Sequence, residues 1–150
     1  VYITTPYLII DSAMITTLRH AAKSGIEVKI ITPSIPDKWY VHPVTQYNYY
    51  DLLEAGVRIY EYTPGFIHSK LFVSDDKVAT VGTINMDYRS FIMHFECGVW
   101  MCDNKTVFDV KEHFNTLLLQ CEEITLRKMK KSTIFTRLKR AILHFFAPFM

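Results

Sequence analysis

Two helix-period segments, each stopped by a glycine, separate three short apolar runs within the first 62 residues, and this alternation most narrows the fold. Residues 2–7 read as a strand. Residues 11–24 read as a helix, with Asp11 or Ser12 to cap it, Met14, Leu18, Ala21 and Ala22 as an apolar face, and Gly25 to end it. Residues 27–32 form a β-branched strand closed by Pro33 and Pro36. A second helix over 45–55 stops at Gly56, and a third strand follows at 57–62. Pro64-Gly65 then turns the chain into a strand at 67–73, which returns through a tight turn at 74–77 as a hairpin strand at 78–81. A strand at 95–102 and a helix at 106–121 complete the pattern, the helix carrying Val107, Val110, Phe114, Leu117 and Leu118 on one side. The expected class is α/β, a mixed β-sheet flanked by helices, with a basic amphipathic C-terminal helix appended.

The chemistry concentrates in His68-Ser69-Lys70, with Asp75 five residues beyond Lys70 and then Gly82-Thr83-Ile84-Asn85. In an extended strand alternate side chains share a face, so His68 and Lys70 are expected to point the same way. That puts an imidazole beside an ammonium, with a small-residue turn and an amide close behind. An imidazole serves as nucleophile or proton carrier, and Lys and Asn hold phosphate oxygens. The pattern therefore points to phosphate chemistry. Asp75, seven residues past His68, is left open between a catalytic role and a structural one in the turn.

His68, Lys70, Asp75, Gly82, Thr83 and Asn85 resemble the H-K-D signature of the phospholipase D superfamily. Thr5-Pro6-Tyr7, the 54–57 segment Glu-Ala-Gly-Val, residues 59–66, Asn85-Met86-Asp87 and Arg89-Ser90-Phe91 are similar to the C-terminal half of bacterial cardiolipin synthases. The resemblance implies that His68 attacks phosphorus to form a phosphohistidine while a second histidine protonates the departing alcohol. It implies Lys70 and Asn85 on the phosphate oxygens, Gly82 and Thr83 allowing close backbone approach, and a hydroxyl contact from Thr83. Glu96 is expected on a strand, orienting a histidine, either His68 or the partner half's. One motif is half a site, so the resemblance implies a missing N-terminal half or a homodimer partner. The implied reaction joins two phosphatidylglycerol molecules into cardiolipin and releases glycerol, at a bacterial cell membrane on its cytoplasmic side. A homodimeric phosphodiesterase or nuclease of the same superfamily is the alternative.

Charge bears on that choice. Residues 1–123 hold 10 basic against 15 acidic side chains, a balance of −5, whereas residues 124–150 hold seven basic and no acidic ones, +7. An acidic body argues against a nucleic-acid partner, which needs a basic footprint at the site. The tail reads as a separate unit, 124–150, behind a catalytic domain at 1–123. Its helix from Ile134 puts Ile134, Phe135, Leu138, Ala141, Ile142, Phe145 and Phe149 on one face and Arg137, Arg140 and His144 on the other. With Arg127, Lys128, Lys130 and Lys131 upstream, it fits an anionic membrane surface. Trp39, Tyr40, Tyr47, Tyr49 and Tyr50 are expected to line an acyl or headgroup channel or to pack the core. Cys97, Cys102 and Cys121 match no metal or redox spacing and read as reduced, mostly buried thiols. No glycine-rich nucleotide loop and no metal-ligand spacing is present, so no cofactor or metal is expected. The chain opens at Val1 inside an apolar run, which reads as part of a longer protein, and no run here has transmembrane length.

Overall fold

The computed structural model describes residues 1–149, Phe149 by its backbone alone. A seven-stranded mixed sheet runs in the order β8-β6-β5-β1-β3-β4-β9. The strands are β1 (Tyr2–Thr4), β3 (Lys29–Pro33), β4 (Arg58–Tyr62), β5 (Leu71–Ser74), β6 (Val78–Gly82), β8 (Gly98–Cys102) and β9 (Cys121–Ile124). β1, β3 and β4 are mutually parallel, and the flanking strands pair antiparallel. A two-stranded parallel sheet, β2 (Leu8–Ile9) with β7 (Met86–Asp87), sits beside it.

Helices α1 (Ser12–Lys23) and α2 (Val41–Glu54) cover one face, and α3 (Lys105–Leu118) covers the other. Strand alternation divides the core between them. Ile30 and Ile59 pack with Leu18, Tyr49 and Leu52, while the next residues, Ile31 and Tyr60, pack with Val107 and Phe114. Burying an aliphatic side chain fully is worth about 1.5–3 kcal/mol, so these parallel strands, covered on both faces, carry much of the fold's stability. Asp11 caps α1 as expected, its carboxylate accepting the Met14 N–H at 2.8 Å, and Gly25 leaves the helix at φ 88°.

Departures from the sequence reading have physical causes. Pro6 interrupts the first strand, which stops at Thr4, and the chain resumes pairing as β2. α2 starts at Val41 rather than 45 because Pro43 lies in the first turn, where its missing N–H is not needed. α3 ends at Leu118, and Cys121–Ile124 becomes an edge strand held partly by Glu123, which accepts from Arg58 at 3.0 Å through both carboxylate oxygens. Cys97 and Cys102 are exposed instead of buried, since β8 and its lead-in loop form the sheet's other edge.

The tail follows the body closely. Met129, in α4 (Leu126–Lys130), is buried in the α1–α2 core, and Ala147, past α5 (Ile134–Phe145), is buried with Val41 and Val44. α5 turns its polar face inward. Arg140 donates to Gln46 Oε1 at 2.7 Å, and the His144 ring stacks on Tyr47 with centroids 4.1 Å apart. Ile134, Phe135, Leu138, Ile142 and Phe145 are each more than half exposed. The Phe149 side chain, expected on this face, lies outside the described residues. Among the described residues no helix is long and apolar enough to cross a membrane.

Candidate active site

Register brings the motif together at one end of the sheet. β5 runs antiparallel to β1 and β6, so its first residue, Leu71, lies opposite Thr4 on one side and Val81 on the other. Gly82 in turn lies opposite Gly98 at the start of β8. The segment before β5, the turn after β6 and the loop before β8 therefore converge on the chain leaving β1. Met86 N–H donating to Thr5 Oγ1 at 3.0 Å ties β7 to that chain.

His68 and Lys70 precede β5 and are not in a paired strand as expected. They differ in environment: the His68 ring is exposed beside Phe66, whereas Lys70 is only 8% exposed. Lys70 Nζ donates to the His68 carbonyl at 2.8 Å. No carboxylate forms an ion pair with this ammonium among the described residues. Burial lowers the Lys70 pKa from its ordinary value, with Glu96 and then Asp87 acting in the opposite sense. The imidazole of His68 is also held below its usual value, first by desolvation and then by the Lys70 charge, with Asp37 opposing. A neutral imidazole at neutral pH has a lone pair available for attack.

Asn85 is half-buried, and its side-chain oxygen has no partner. Its main-chain N–H donates to Ser90 Oγ at 3.1 Å, and Ser90 Oγ donates to Glu96 Oε1 at 2.7 Å. The other Glu96 oxygen accepts from the Thr83 hydroxyl, which itself accepts the Cys97 N–H at 2.9 Å. Thr83 thereby staples the turn to the β8 lead-in loop. Those two hydroxyl bonds, the Thr83 bond first, hold the Glu96 carboxyl below its ordinary pKa. Glu96 lies in the loop ahead of β8, not on the strand, and its nearest histidine is His94, whose Nδ1 is 3.7 Å from Oε1. Gly82 admits no side chain, because a Cβ would stand 2.3 Å from the Cys97 carbonyl oxygen.

Asp75 is not brought to this site. It occupies the β5–β6 turn at φ 54°, beside Asp76 at φ 58°, and accepts from Ser74 Oγ at 2.9 Å. Seven residues of extended chain separate it from His68 by roughly 20 Å.

Three contributors were not singled out from sequence as site residues. Ser90 bridges Asn85 to Glu96, and Asp87, buried, accepts the Ser90 N–H at 2.7 Å to start the π-helical turn Arg89–Met93. His94 accepts from Arg89 Nε at 3.3 Å. The 85–91 run marked the first two by resemblance, but only the folded turn gives them partners. Asn85 also forms part of the wall of an open cavity of about 640 Å³, which His68 and Lys70 do not line. Trp39 and Tyr40 do line it, while Tyr49 is a core residue.

Residues 1–118 match the model of the PLD-like domain of cardiolipin synthase. An uncharacterized protein of Streptococcus mutans is 45% identical over the whole chain, which spans 32% of that relative. Cardiolipin synthases of Clostridium perfringens and Staphylococcus aureus are 37% and 36% identical over 99% and 100% of the chain. The chain thus spans about a third of the length of the relatives it matches. Among solved structures, the phospholipase D family member Nuc of Salmonella typhimurium aligns with a TM-score of 0.68 at 17% identity, covering 82% of this chain and 80% of that one. The phosphatidylserine synthase of Haemophilus influenzae aligns with 0.73 at 16% identity, covering 99% of this chain and 39% of that one. At those identities the structural matches establish the fold.

Proposed function

Since the chain belongs to the family of PLD-like domains of cardiolipin synthase, we propose that it supplies one of two half-sites of a phosphatidyltransferase that makes cardiolipin from two phosphatidylglycerol molecules. The observation that carries this reading is the buried Lys70 ammonium, without an ion-pair partner among the described residues, next to an exposed His68 imidazole biased to its neutral form. A buried unpaired cation is costly, and an anionic ligand offsets that cost. A phosphodiester placed there meets a nucleophile and a charge clamp together.

His68 attacks phosphorus, the bond to the donor's glycerol breaks, and a phosphatidyl-histidine remains. Lys70 and the Asn85 amide hold the phosphate oxygens on which charge builds. Glu96, Ser90 and Thr83 fix the Asn85 turn against β8. The terminal hydroxyl of the second phosphatidylglycerol then forms the new P–O bond as the P–N bond breaks. Proton transfer to the departing glycerol belongs to the histidine of the other half-site. The exposed apolar rim beside the site, Ile92, Met93, Phe95, Val99 and Trp100, supports cover by that other half. The outward apolar face of α5 supports work at an anionic membrane surface.

The test is turnover of phosphatidylglycerol by the intact protein carrying this chain. His68→Ala should lose at least roughly 10²–10⁴-fold, together with any acid-labile phosphate trapped on the wild-type chain. Turnover within tenfold of wild type would contradict the assignment.

A further inference from the structure

The geometry points to a second phosphate subsite, in which Lys38 and Arg89 hold the acceptor lipid's own phosphate. This rests on the phosphatidyl-transfer reading and adds what decides between a lipid acceptor and water. The 640 Å³ cavity is lined in part by Asn85, the residue proposed to hold the reacting phosphate, so the cavity and the reacting centre adjoin there. It is also lined by Lys38 and Trp39, from the segment between β3 and α2, and by Leu143 and Phe146, from the C-terminal part of the chain.

The charges in the cavity are not spent. Neither Lys38 nor Arg89 enters an ion pair among the described residues. Arg89 uses its Nε–H on His94 at 3.3 Å, and no bond is formed by its terminal nitrogens within the described structure. One acid also borders the space: Asp87 is buried, and its Oδ1 already accepts the Ser90 N–H. Nearby Asp37 accepts the Tyr7 hydroxyl at 2.7 Å. Two cations lining one cavity with aromatic and aliphatic groups match a phosphodiester carrying acyl chains.

The reaction needs such a site. In the second step the acceptor's hydroxyl oxygen bonds to phosphorus while the P–N bond to His68 breaks and the hydroxyl proton leaves to the base of the other half-site. Water completing the same step gives phosphatidic acid. Ethanol gives phosphatidylethanol. Of these acceptors only phosphatidylglycerol has a phosphate of its own, at the far end of one glycerol unit. Cations in the cavity that adjoins the reacting centre at Asn85 select it over the others.

The intact protein is assayed on phosphatidylglycerol vesicles with ethanol present, and cardiolipin, phosphatidylethanol and phosphatidic acid are quantified together. Arg89→Gln and Lys38→Gln should each lower the ratio of cardiolipin to phosphatidylethanol at least tenfold, while Arg89→Lys and Lys38→Arg stay within threefold of wild type. Both residues are exposed, so folding is not at stake in these variants. A ratio unchanged in both Gln variants, or all three products falling in parallel, overturns the subsite. If His68→Ala still makes all three products, the phosphohistidine reading fails instead, whatever the ratio.

Discussion

Lys70 donates its ammonium to the main-chain oxygen of His68 at 2.8 Å, so the cation is anchored to the residue whose ring it influences. The bond fixes a buried charge close to the imidazole without neutralising it. The carbonyl satisfies one of three donors, and the others remain for a ligand.

This coupling has a pH signature. Desolvation and the Lys70 charge both hold the His68 pKa below its ordinary value. Lys70→Met removes the second cause, so the His68 pKa should rise toward, but not beyond, the free-imidazole range. Protonation abolishes the nucleophile, so the acid limb of the remaining activity should move to higher pH. Histidine NMR titration of wild type and variant checks the direction. A pKa unchanged or lowered in Lys70→Met would show that the ammonium does not act on this ring.

Gly82 should tolerate no side chain. Its Cβ would meet the Cys97 carbonyl at 2.3 Å and the Gly98 Cα at 2.5 Å, both main-chain atoms of the neighbouring strand segment. Relief requires the β6–β8 pairing to open where Thr83 and Glu96 are stapled. Gly82→Ala is expected to cost about 1–3 kcal/mol of stability, the usual range for forced overpacking, and to lower activity with it. Denaturant unfolding of the two proteins measures the first effect. Equal midpoints would mean the strands separate without cost.

The outward face of α5 should bind lipid by apolar contact more than by charge. Arg140 is half-buried and held by Gln46, and the exposed Arg137 donates to the Lys130 carbonyl at 2.6 Å. Lys128 pairs with Glu122 at 2.8 Å. Lys139, over the Trp39 ring at 5.5 Å, flanks the apolar face. Leu138→Glu with Ile142→Glu should therefore weaken flotation with anionic vesicles several-fold and leave the melting temperature nearly unchanged, because both side chains are exposed. Vesicle binding equal to wild type would assign this face to a protein contact.

Local chemistry made much of the fold legible in the sequence. Asp11 and Gly25 bound α1, the β-branched 27–32 run yields β3, and helix periodicity places Val107 and Phe114 of α3 in the core. His68, Lys70 and Asn85 could be picked out because their side-chain chemistry is theirs alone, whatever surrounds them. Partners were another matter. That Glu96 meets Thr83 and Ser90, that Asp75 stands in a turn away from the site, and that Cys-Glu-Glu-Ile forms an edge strand on β4 all depend on register between segments distant in sequence. α5 shows the division most sharply. Its periodicity set which residues share a face, but which face turns inward depended on Gln46 and Tyr47 of α2 offering hydrogen-bonding and stacking partners to Arg140 and His144. A helix's own sequence specifies its two sides; only the surface it meets decides which one is buried.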